Sequence, residues 1–113
     1  MKLQKIAKEL DLHIRSGAGH MDKEVARGYA SDLLSDVMGN AREGDIWVTL
    51  QAHQNIVAIA VMKSLSGIIL VNNREPDALT VQKAEEENVP IMVSAMPTFE
   101  LVGKLFTMGV AGS

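Results

Sequence analysis

The chain has 113 residues, 47% hydrophobic and 22% charged, with a formal net charge of −3 and no cysteine. That length suits one domain, the composition is that of a folded globular chain rather than a disordered one, and the acidic balance offers no basic field for a nucleic-acid backbone. Without cysteine there is no disulfide, no thiolate zinc site and no thiol nucleophile, which suits a reducing compartment.

The N-terminal MKLQKIAKELDL is amphipathic and charged throughout, unlike a secretion leader. The longest apolar run, Ile56 to Met62, is too short to span a bilayer. A cytoplasmic protein is expected, with no membrane and no nucleic-acid partner. Leu3, Ile6, Ala7 and Leu10 fall at helical spacing and predict a first helix. Leu12 to Ile14 reads as a short strand, and the polar SGAGHMDKE separates it from an extended piece at Val25 to Tyr29, where Gly28 is out of place. From Ser31 the pattern is helical, with Leu33, Leu34, Val37, Met38 and Ala41 inward and Ser31 or Asp32 placed to cap.

Three similar units follow. Ile46 to Leu50 is a strand, and NIVAIAVMKSL, from Asn55 to Leu65, reads as a helix although its apolar run would also suit a strand. Its alanines and its place between two strands favour the helix, because parallel strands need a crossover connection. Gly67 to Val71 is the next strand, followed by a helix over Ala78 to Glu87, with Pro76 at its opening and Asn88 as the left-handed residue that closes it before Pro90. Ile91 to Val93 is the last strand. Thr98 to Met108 is the last helix, closed by Gly109, with Phe99, Val102, Leu105 and Phe106 predicted to be buried. The sum is a single α/β domain with a mainly parallel sheet and helices packed on it.

In an open α/β sheet, ligands sit beyond the carboxyl ends of the strands. The residues predicted there are Ser31 and Asp32, then Thr49, Gln51, His53 and Gln54, then Asn72, Asn73 and Arg74, and finally Ser94 and Thr98. All are polar, whereas the opposite loops, GNAREGD, SLSG and EENVP, are ordinary. Polar loop residues also suit turns and helix caps, so the set carries more weight than any one member. Arg74 could hold a carboxylate or phosphate through its fork, or pair with Glu75 or Asp77. His13, His20 and His53 lie far apart without the carboxylate spacing of a metal site, so no metal is expected. Gly103-Lys104 is not a phosphate loop, since Thr98 stands at the earlier glycine position and Leu105 where Ser or Thr is needed. No GxSxG or GxGxxG occurs.

The blocks HIRSGAGHMDKEVARGYASDLL, GDIWVTLQAHQNIV, SGIILVNNREPD and NVPIMVSAMPTFELVGKL, in this order and spacing, give the chain a resemblance to the DRTGG domain. That module is similar to the N-terminal domain of HPr kinase/phosphorylases, and the resemblance runs from about Leu10 to Met108. It extends to small stand-alone DRTGG proteins, some found beside iron-hydrogenase components. The naming letters are replaced here. Ala52-His53 stands where the family shows Asp-Arg, and Val71-Asn72-Asn73 where it shows Thr-Gly-Gly. Pro97-Thr98-Phe99 keeps the Thr-Phe without the preceding Asp.

The resemblance implies an HPr kinase N-terminal-domain-like fold over 1–113 and a regulatory or assembly module with no catalysis and no cofactor of its own. It would sense a small polar or phosphorylated metabolite, or a nucleotide, at the strand-end loops. The alternative is a structural dimerisation or docking protein of a hydrogenase-type redox complex, with no ligand. In either case a homodimer is expected through the Asn55–Leu65 helix, whose apolar residues cover its whole circumference, with Val57 and Val61 outward.

Overall fold

Five strands form one sheet: the three central ones, at 45–49, 67–70 and 91–93, are short, largely β-branched runs buried on both faces, and the two edge strands, His13–Ser16 and Arg27–Ala30, are more polar and more exposed. In a computed structural model that describes residues 1–112, the elements in chain order are α1 (Leu3–Glu9), β1 (His13–Ser16), a 3-10 turn at Ala18–His20, β2 (Arg27–Ala30), α2 (Leu34–Asn40) and β3 (Asp45–Thr49). They continue with α3 (Asn55–Met62), β4 (Gly67–Leu70), α4 (Ala78–Glu87), β5 (Ile91–Val93) and α5 (Thr98–Thr107). The sheet order is β1-β5-β4-β3-β2; β2 to β5 are parallel and β1 is antiparallel to β5. The register shifts between Ile14 and Ser16 of β1, and Arg15 lies outside the ladder at that bulge.

Strand alternation divides the core between two faces. Trp47, Ile68, Leu70, Ile91 and Val93 pack with Val37, Ile56, Ile59 and Ala84 from α2, α3 and α4. Ile46, Val48, Ile69 and Met92 pack with Leu3 and Ile6 of α1 and with Leu101 and Leu105 of α5. A parallel sheet covered on both faces needs such continuous apolar strands, and β3, β4 and β5 are buried along their whole length.

The predicted elements all form, and α3 is a helix. Asn88 takes φ 58° and ends α4, and Gly109 takes φ 106° after α5. Some local expectations are corrected. Neither Ser31 nor Asp32 caps α2, which starts later, at Leu34, with Leu33 in the N-cap position, no side-chain cap, and Leu33 itself exposed. Pro76 lies before the first turn of α4, because Asp77 is the residue that opens that helix. On α5, Phe99, Val102 and Phe106 are exposed, and the buried stripe is Leu101 with Leu105. On α3, Val57 is 0% exposed, because α2 and α4 lie along its flanks. Only Ala58, Val61 and Met62 of the apolar run remain outward.

Candidate functional site

The parallel strands β2 to β5 end on a common rim, and backbone hydrogen bonds tie their outgoing loops together. The Asp32 carboxylate accepts from the Thr49 hydroxyl at 2.8 Å and from the Leu50 amide at 2.7 Å. Gln51 Nε2 donates to the Asp32 carbonyl at 2.9 Å, and the Gln51 amide donates to Thr49 Oγ1 at 3.1 Å. The Val71 amide donates to the Thr49 carbonyl, the Asn73 amide to the Ser94 carbonyl at 2.8 Å and the Asn72 amide to the Met96 carbonyl at 2.9 Å. Ser94 Oγ accepts from the Met96 amide at 3.0 Å. Ser31 is tied in through its carbonyl, which accepts from Trp47 Nε1 at 2.8 Å.

The asparagines ending β4 have a backbone reason to be there. Asn72 and Asn73 both adopt left-handed conformations, φ 56° and 55°. Among residues with a Cβ, asparagine tolerates this region best. The turn they make lets both amides reach the β5 loop, and it aims both side chains outward.

The eleven residues expected at the site therefore separate by what the fold has already used. Thr49 and Ser94 are buried and their hydroxyls are engaged, and the Asp32 carboxylate and the Ser31 hydroxyl also have partners. His53, Asn72, Asn73 and Arg74 are exposed, and among the described residues their side chains have no hydrogen-bond or ion-pair partner. Arg74 does not pair with Glu75, because Glu75 is held by Arg15 through two bonds of 2.7 and 3.0 Å. Gln51 and Thr98 are half-buried, Thr98 at the first turn of α5 on the other side of the sheet from His53.

Beside His53 a groove of about 290 Å³ runs between the N-termini of α3 and α4, lined by His53, Gln54, Asp77, Ala78, Leu79 and Thr80. The Ala52 carbonyl anchors that side, accepting from the Asp77 amide at 3.1 Å and from the Thr80 hydroxyl at 2.8 Å. Neither helix has a side-chain cap, so first-turn amides at both N-termini lack a side-chain acceptor. Asp77, Ala78, Leu79 and Thr80 were not among the expected residues. The signal for them was the short polar residue after Pro76 at the head of a helix.

The electrostatics around the rim are local. Glu75 lies below its ordinary carboxyl value because Arg15 hydrogen-bonds it, and Arg15 is raised in return. The Asp36 carboxyl is lowered first by the Tyr29 hydroxyl, with Ser31 and Asn40 adding to it. Among the described residues no three His, Asp or Glu side chains gather as a metal would require.

No family model matches the chain and no curated protein matches its sequence. Among solved structures, it is similar to the crystal structure of the CBS and DRTGG domains of the regulatory region of Clostridium perfringens pyrophosphatase, complexed with the activator diadenosine tetraphosphate. The TM-score is 0.74 at 15% identity, over 90% of this chain and 44% of that one. The fold is DRTGG-like. At that identity the likeness is one of fold, and the chain spans less than half of the regulatory region it matches. Ala52-His53 lies at the groove between α3 and α4, and Asn72-Asn73 in the left-handed turn, so both segments singled out by the sequence resemblance stand at the rim.

Proposed function

We propose that the chain is a non-catalytic regulatory module that binds a small polar or phosphorylated metabolite, nucleotides included, at the rim of strand ends. The observation that carries this reading is the partnerless outer layer of His53, Asn72, Asn73 and Arg74 standing on an inner layer whose hydrogen bonds are complete. Side chains held on a rigid base but not consumed by it are free to exchange water for a ligand. An arginine fork suits a phosphate or carboxylate, and the asparagine amides both donate and accept. The uncapped N-termini of α3 and α4 add a favourable field for an anion, which Asp77 partly offsets. The similar pyrophosphatase region is itself regulatory and was crystallised with a nucleotide activator, which supports this class of function. Phosphoryl transfer has no phosphate loop to work with in residues 98–105.

The test is calorimetric titration of the protein with a panel of nucleotides, acyl phosphates and polar carboxylates, repeated on Arg74→Ala. At least one compound should bind the parent, and Arg74→Ala should weaken it by about tenfold or more with no change in unfolding midpoint. A panel without a binder, or a binder indifferent to Arg74→Ala, overturns the reading.

A further inference from the structure

Arg15 and Glu75 stand 60 residues apart in the chain and meet at the β1 edge of the rim. The loop that carries Glu75 is fastened without this pair. On one side of Glu75 the Asn72 and Asn73 amides bond to the β5 loop, and on the other the Asp77 amide bonds to the Ala52 carbonyl. An exposed ion pair adds little to stability.

The chain nevertheless builds the contact from both ends. The β1 bulge sets Arg15 outside the ladder, and a bulge re-aims the side chain it carries. Glu75 reaches Arg15 from β4 across the intervening β5. Arg15 Nε donates to Oε1 at 2.7 Å and Nη2 to Oε2 at 3.0 Å, the two-pronged geometry by which a guanidinium holds a carboxylate or a phosphate. His13 stands beside them, in register with Val93 at the end of β5 and so at the same rim as Ser94. Its side chain is exposed, with no hydrogen-bond or ion-pair partner among the described residues. The Glu75 carboxyl is lowered first by Arg15 and then by the nearby His13. One carboxylate thus faces two basic side chains and bonds only one of them.

We propose that Glu75 is an internal counter-anion, filling a subsite in which Arg15 and His13 hold the terminal phosphate of a ligand. This subsite rests on the rim-binding function proposed above. It names the end of the ligand that enters beside β1 and the group that must leave first.

A phosphate suits the place better than Glu75 does. Both Glu75 oxygens are spent on Arg15, which leaves His13 without an acceptor. A terminal phosphate has three oxygens, two for the Arg15 fork and one for His13, and it carries more negative charge than a carboxylate. The side chains of Arg15 and Glu75 are 38% and 56% exposed, so water screens their pair and an incoming anion can reach it. The loop stays in place when Glu75 leaves, because its amides are bonded elsewhere. Glu75 therefore sets a threshold: a single carboxylate competes poorly with it, and a terminal phosphate displaces it.

Calorimetric titration with inorganic pyrophosphate at low salt tests the subsite. Glu75→Gln should bind pyrophosphate about tenfold more tightly than the parent does, with an unchanged circular dichroism spectrum. Adding Arg15→Ala or His13→Ala to Glu75→Gln should remove most of that gain. Glu86→Gln, which removes the same charge near the other end of α4, should match the parent. A Glu75→Gln protein no tighter than the parent overturns the proposal. So does a gain that survives Arg15→Ala or His13→Ala, or one that Glu86→Gln reproduces. The subsite and the proposed function fail separately. A compound held by the parent through Arg74, with no gain in Glu75→Gln, removes the subsite and leaves the function. A parent that binds nothing, beside a Glu75→Gln protein that takes pyrophosphate through Arg15, keeps the subsite and removes the function.

Discussion

At the amino ends of the strands the buried polar groups are saturated by the fold, whereas at the carboxyl ends only the inner layer is. The fully buried Asp45 carboxylate accepts from the Arg42 amide at 2.8 Å and from Arg27 Nε at 3.1 Å. Ser66 donates to the Glu24 and Gly44 carbonyls. Ser16 donates to the Val89 carbonyl at 2.8 Å and accepts from the Ile91 amide at 3.1 Å, which fastens β1 beside Gly17, whose missing Cβ would fall 2.7 Å from the Pro90 backbone. At the other end Asp32, Thr49 and Ser94 do the same work, but His53, Asn72, Asn73 and Arg74 stand above them unengaged. A polar side chain's role here is told by whether the fold has consumed its hydrogen bonds, not by its residue type.

The largest effect that could break this contrast is at Asp45. Asp45→Ala removes the buried acceptor of at least two donors and leaves the one-third-exposed Arg27 without its carboxylate, a loss of roughly 1.5–3 kcal/mol for hydrogen bonds to a charged group. Arg74→Ala at the opposite end should stay within about 0.5 kcal/mol of the parent. Urea unfolding of both variants measures the difference, and equal losses would show that the two ends are built alike.

Thr49 sharpens the contrast within the rim. Thr49→Val keeps the shape and removes a hydroxyl that both donates to Asp32 and accepts from the Gln51 amide, costing about 1–2 kcal/mol. Asn73→Ala removes a side-chain amide with no partner among the described residues, so beyond the price of a left-handed alanine it should leave the inner layer intact. If Thr49→Val is as stable as the parent, the inner layer is not the structural base that supports the outer one.

How much of this was legible in the sequence follows from what each signal depends on. The α4 boundaries, Ala78 and Glu87, were readable because a helix start and an Asn88 stop are local backbone chemistry. The polar set at the carboxyl ends was readable because strand direction in a βαβ chain fixes which loops share a rim. The buried stripe of α5 was not, since Phe99-Val102-Phe106 and Leu101-Leu105 both have helical spacing and only the packing of Ile69 and Met92 chooses between them. The Ser31 and Asp32 cap failed for a related reason. Asp32 finds its partners 17 and 18 residues away, in β3 and the loop after it, and no local pattern encodes that preference. Likewise the burial of Val57 depends on α2 and α4 lying against α3, which the run NIVAIAVM does not specify.

The smallest expected effect concerns the ion pair that, among the described residues, grips the outer loop. Arg15, set outside the ladder by the β1 bulge, holds Glu75 of the loop after Asn72 and Asn73. The Glu75 carboxyl is depressed in the folded chain, chiefly by the Arg15 hydrogen bonds. Its contribution to stability is therefore fully present above the ordinary carboxyl value and disappears as pH falls through the lower, folded one. Both side chains are substantially exposed, so salt screens the pair and the contribution is small. Glu24, lowered by the N-terminal amine, and Asp36 titrate in the same acid range, so the parent's acid limb alone does not report Glu75. The difference between the parent and Glu75→Gln does. It should be measurable at neutral pH and low salt, shrink at high salt and close toward zero in acid. The Asn72 and Asn73 amides, bonded to the β5 loop rather than to Glu75, should keep their hydrogen-exchange protection throughout. If that protection falls with the ion pair, the loop is held from β1 and not from the rim.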